Sequence, residues 1–191
     1  MGQYYKVITK RNGKFKMYNR DVDGEYTMAK LMEHSWWRND FCCAFAETIV
    51  DKPTKVCWCG DYAEEDECEA LGFKYEQVWG NRKGCGVKKS NFEMSSVKYL
   101  VNNDKGLYVD LQKYYEKSMC KEEYEGKNYE YCIFPISILT ALGNDRGGGD
   151  YHKECATCYE LVGTWAFDEI FLTNKEPPAH FKELEVYFKE N

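Results

Sequence analysis

Several absences narrow the function of this chain before any motif is considered. No apolar run approaches the roughly 18 residues that a membrane-spanning helix needs, and 30% of the residues are charged, so a membrane protein is excluded as an expectation and no membrane partner is expected. Bases do not predominate. Lys and Arg number 26 against 32 Asp and Glu, for a net charge of −6. A generic nucleic-acid backbone binder rests on cations neutralising phosphates, so that function is not expected. Arg82, Lys83, Lys88 and Lys89 form a local basic patch around Gly84 and Gly86, for which a solvated loop is the simpler account. No G-x-S-x-G nucleophile elbow occurs. The opening Met1-Gly2-Gln3-Tyr4-Tyr5-Lys6 has no apolar h-region, and Lys6 stands where a myristoylation signal needs Ser or Thr. The expected location is therefore cytoplasmic.

Cysteine and aromatic residues are abundant. Ten cysteines without a secretory signal are read as thiols or ligands, not as a disulfide framework, and most sit inside apolar patterns. Aromatic residues make up 16% of the chain, including 16 Tyr and 5 Trp, which suits strands and broad contact surfaces.

The pattern along the chain predicts a single α+β domain over 1–191, with a mainly antiparallel sheet, β-hairpins and a few short packed helices. Asn12-Gly13 between two Tyr- and Val-bearing runs predicts a hairpin over 3–19. Asn39 reads as the N-cap of an amphipathic helix carrying Phe41, Phe45 and Ile49 and ending before Pro53. A short strand over 55–59, an acidic helix opening at Glu64, a hairpin around Asn102–Gly106 and a helix from Leu111 to Ser118 follow. The nearly continuous apolar run from Tyr131 to Leu142 predicts a central strand buried on both faces, interrupted at Pro135. Alternation from Tyr159 to Phe167 predicts another strand.

The segment with the strongest claim to a site follows that apolar run: Gly143-Asn144-Asp145-Arg146-Gly147-Gly148-Gly149-Asp150-Tyr151. It lacks the Lys-Ser/Thr pair of a Walker loop and the third glycine of a dinucleotide fingerprint. What remains is a loop whose backbone N–H groups could form an anion nest, with Arg146 adding a bidentate contact and Asp145 and Asp150 opposing a phosphate. A wide hairpin loop with conformational demands only is the alternative. His152-x-x-Cys155-x-x-Cys158 offers three ligands for a structural zinc, the fourth coming from Cys57, Cys59 or Cys132. Glu33-His34-Ser35-Trp36-Trp37 concentrates polar and aromatic groups suited to a stacking platform. The competing account places one Trp in the core and makes His34 a satisfied structural histidine.

Several segments together resemble a family of small, poorly characterised bacterial and phage proteins. They are Met1–Lys6, Ala29–Trp36, Trp58–Ala63, Lys98–Asn102, Leu139–Tyr151 and Val162–Trp165. They run in order over most of the chain and end in Gly-Asn-x-Arg-Gly-Gly-Gly-Asp-Tyr and Val-Gly-Thr-Trp motifs. The resemblance implies a phage or mobile-element type of gene product. It implies no catalytic residues, and the cysteines between His152 and Cys158 fall outside its pattern. Its motif residues are polar or small where a core would want apolar ones: His34, Asp61, Tyr62, Asn144, Arg146 and Asp150. With Gly147, Gly148 and Gly149, they are the expected ligand-binding set. The leading expectation is a binding protein for a small polar, nucleotide-like ligand, or one that antagonises a host defence protein. The alternatives are an acidic protein–protein inhibitor and a metal-assisted hydrolase using His34 and Asp61.

Overall fold

The structure is a computed structural model that describes residues 2–22, 25–27, 29–80, 85–87, 90–124, 126–154 and 156–189. The basic cluster at 82, 83, 88 and 89 lies outside these residues.

Strands β1 (Tyr5–Arg11) and β2 (Lys14–Val22) form the expected hairpin. Asn12 and Gly13 both take positive φ (51° and 75°), which the tight turn demands and Asn-Gly supplies at low cost. β3 (Glu25–Thr27) returns along β2. A single helical turn, α1 (Leu31–His34), precedes α2 (Asp40–Thr48). α2 starts where the sequence places it: Asn39 Oδ1 accepts the Phe41 N–H at 2.9 Å. β4 (Thr54–Gly60), α3 (Glu65–Ala70) and α4 (Tyr75–Trp79) come next, then the short β5 (Cys85–Val87). β6 (Tyr99–Asn102) and β7 (Leu107–Asp110) make the second hairpin, and Asp110 caps α5 (Leu111–Ser118). β8 (Cys120–Tyr124) and β9 (Lys127–Tyr131) pair as a separate two-stranded sheet. α6 (Pro135–Leu139), β10 (Ala141–Leu142), β11 (Glu169–Thr173) and β12 (Lys182–Glu183) complete the chain.

The main sheet runs β12-β7-β6-β11-β4-β1-β2-β3, with β10 added beside β4 and β5 beside β2. β4 is its true centre. Val56 and Trp58 point into the larger core with α2 and α6, while Cys57 and Cys59 point into a smaller core with Cys68, Phe73 and Val78. One edge of β4 is shared: β11 pairs antiparallel at Thr54–Lys55 and β10 pairs parallel at Trp58–Cys59.

Two sequence expectations are corrected. The run 131–142 is not a central strand. Pro135 sits at the first position of α6, where its missing N–H costs nothing, and all five residues of that helix are buried. An apolar run of this length has no periodicity to separate a buried helix from a buried strand. Nor does a strand span 159–167. Tyr159–Leu161 is a 3₁₀ turn, and Cys158 and Phe167 take positive φ (50° and 61°), which breaks any extended pairing. Phe167 holds that conformation because its ring packs against Phe73 and Phe15 in the smaller core.

Candidate functional site

The parallel pairing of β10 with β4 delivers residues 143–151 to the end of the sheet where β4 stops and β1 begins. Distant motif residues therefore meet there. Gln3 N–H donates to Gly148 O, and Met32 N–H to Gly149 O, both at 2.9 Å. Gln3 Nε2 donates to Gly143 O at 2.8 Å. Gly143 has φ 82°, and a Cβ there would lie 2.9 Å from the Ala63 backbone N. A Cβ on Gly147 would meet the Gln3 side chain at 2.7 Å and the Tyr62 ring at 2.9 Å. These glycines are small because neighbouring backbone and rings press on them.

The loop's own groups fill its nest. Asp150, 1% exposed, accepts the Arg146 and Gly147 N–H groups at 2.9 Å each through Oδ2. Its Oδ1 accepts the Tyr5 hydroxyl at 2.8 Å. Burial, and next the Asp150 charge, push the Tyr5 phenol far above its ordinary pKa, so it stays a donor. Arg146 is engaged as well. It donates to Tyr62 O at 2.8 Å and grips the Glu67 carboxylate with both terminal nitrogens. Partial burial works against the Glu67 charge, yet the Arg146 hydrogen bonds and the Glu64 N–H outweigh it and hold the carboxyl below its usual pKa. Asn144 bonds the Tyr151 backbone on both sides, at 2.8 and 3.0 Å. Asp61 Oδ1 accepts the Tyr4 N–H at 3.0 Å, and burial raises its pKa, with the nearby Asp150 charge adding to the rise. His34 Nδ1 accepts the Lys30 N–H at 3.1 Å, and the Lys30 side chain lies over Gly149. The structure thus gathers Asp61, Tyr62, Asn144, Arg146, Asp150 and the three glycines into one knot of protein–protein bonds, with His34 attached through Lys30.

Beyond the loop, His152 Nδ1 lies 2.8 Å from Asp145 Oδ1, and Tyr159 donates to Asp145 Oδ2 at 3.0 Å. Cys155 lies outside the described residues, so the expected His152–Cys155–Cys158 zinc site falls partly outside them. Among the described residues no group of three His, Cys, Asp or Glu side chains is placed to hold a metal ion.

A sizeable cavity lies elsewhere. A groove of about 1100 Å³ opens between the start of α2, the start of α5 and the segment 90–99. Trp37, Arg38 and Tyr115 wall one side; Phe92, Met94 and Lys98 wall the other. Trp37 stacks on Tyr114 (5.9 Å between centroids, 20°) and leans on Tyr115 (5.4 Å, 48°). The exposed Arg38 guanidinium donates to the Tyr115 hydroxyl at 3.3 Å. No residue of the glycine loop lines this groove. The sequence signal that reached it was Trp36-Trp37. Arg38, Tyr115 and the 90–99 wall gave none, because they meet only in the folded chain.

Comparison with protein-family models, curated proteins and solved structures found no match.

Proposed function

We propose that this chain is a binding protein whose small polar ligand, with a planar ring, occupies the groove between α2, α5 and residues 90–99. One observation carries this reading: Trp37, Tyr115 and the exposed Arg38 converge on a groove of about 1100 Å³, combining aromatic surface with a directed donor. The glycine loop serves the site from a distance by fixing the N-terminal strand and the Lys30–Trp36 segment that leads into α2.

Thermal unfolding in the presence of nucleotides and nucleosides tests the proposal. A ligand at a hundred times its Kd adds about 2.7 kcal/mol and raises Tm by several degrees. Arg38→Glu should abolish the rise. Arg146→Ala should lower the starting Tm yet keep the ligand-induced rise. The opposite pattern would return the site to the glycine loop.

A second reading, a protein–protein module, draws on Trp36 and Tyr129, which are 41% and 47% exposed. Trp and Tyr are residue types that dominate interface energetics. A stable stoichiometric complex with a host protein, lost on Trp36→Ala with no small ligand required, would favour it.

A further inference from the structure

A second cavity, of about 180 Å³, adjoins the groove and shares Trp37, Arg38 and Tyr115 with it. Trp36, Tyr131 and Glu130 supply other walls. Two packed aromatic pairs, Trp36 with Tyr131 and Trp37 with Tyr115, therefore line a space sized for one flat group. Trp36 and Trp37 are held in place: Trp36 bridges Ile133, Trp37 N–H donates to Cys132 O at 2.8 Å, and the Trp36 side-chain Nε1 donates to Met32 O. The Trp36 and Tyr131 rings lie 5.6 Å apart at 31°. A slot preset in this way loses little side-chain entropy when a ring enters, and aromatic stacking accepts any base because every base has a π-face.

The charges decide what the ring can carry. The larger groove's described lining holds Asp40, Glu93 and Asp110 against Arg38 and Lys98. Among the described residues a phosphate entering it would meet a net negative rim, on a chain of net charge −6. Hydroxyl groups, by contrast, donate to carboxylates. Resting on the groove reading above, we infer that the aromatic slot is the ring subsite and that the ligand is an unphosphorylated nucleoside, its sugar hydroxyls facing the carboxylates of the groove.

Calorimetric titration of the full chain with adenosine, guanosine, cytidine and uridine, their 5′-monophosphates and a single-stranded hexanucleotide RNA tests the inference. Amide spectra locate each binding event. At least one nucleoside should bind about tenfold or more tighter than its monophosphate. Trp36→Ala should weaken it on the order of 5- to 150-fold, Trp36→Phe should restore most of that loss, and the circular dichroism and Tm of both variants should match the parent. Equal or tighter binding of a monophosphate or the RNA overturns the inference, as does unchanged affinity in Trp36→Ala. A probe that shifts amides at 92–98 and 110–115 but not at 36 and 130–132 overturns the slot alone and leaves the groove. If no probe binds, both the slot and the groove reading fall.

Discussion

Asp150 and Asp61 show how single carboxylates shape the end of the sheet. Asp150 occupies the position an external anion would take in the glycine loop, and three donors satisfy it. Removing it would strand the Tyr5 hydroxyl and two backbone N–H groups in a buried place. Asp61 behaves differently. Burial, seconded by Asp150, raises its pKa above the unfolded value of about 4. The folded state then holds the proton more tightly than the unfolded state, so stability falls as pH rises from the unfolded value through the raised one. Asp61→Asn keeps an acceptor for the Tyr4 N–H and removes the charge. Its Tm should equal or exceed the parent's at pH 7, with the difference shrinking toward pH 4 as Asp61 takes up its proton. Melting curves across that range check this, and a variant less stable at pH 7 than at pH 4 relative to the parent would contradict it.

α2 is the element on which the groove depends, because its first turn carries Asp40 and Cys43 and its cap fixes Trp37 and Arg38 just upstream. Asn39→Ala should cost about 1 kcal/mol in urea unfolding, and it should weaken groove binding further by loosening the Arg38 backbone. α2, the Asn12-Gly13 hairpin and α5 were legible in the sequence because each carries its own signal: a cap, an obligatory turn pair, an amphipathic stripe. The run 131–142 was not. Its residues are apolar apart from Ser137 and Thr140 and show no period, and Pro135 suits a helix start as well as a strand break. The tract 159–167 misled for a different reason. Its alternation of apolar residues is real, but positive φ at Cys158 and Phe167 turns the chain, and the Phe73 and Phe15 rings that hold Phe167 come from elsewhere in the sequence.

At the scale of the whole molecule, two cores on opposite faces of β4 carry the stability. Cys42, Cys43, Cys57, Cys59, Cys68, Cys120, Cys132 and Cys158 are free thiols, and Cys57, Cys59 and Cys68 sit together in the smaller core. Complete burial pushes the Cys57 thiol well above its ordinary pKa, so it stays protonated and unreactive. Tm should therefore be the same with and without reductant, and alkylation of these three thiols should proceed at the rate of unfolding. Rapid native-state labelling of Cys57, or a reductant-dependent Tm, would refute this.

The sequence by itself determined the α+β class, the β1–β2 hairpin, the capped helix α2 and the existence of a special glycine segment. Propensity, turn chemistry and capping act over a few residues, and their marks are local. Tertiary structure alone decided what that segment does. The parallel register of β10 on β4 carries it to the start of β1, where Asp150, Tyr5, Arg146 and Glu67 satisfy one another. The same long-range assembly set Trp37 and Arg38 against Tyr115, 77 residues from Arg38. Local patterns hold no information about which distant surfaces will meet, and the groove is made of such a meeting.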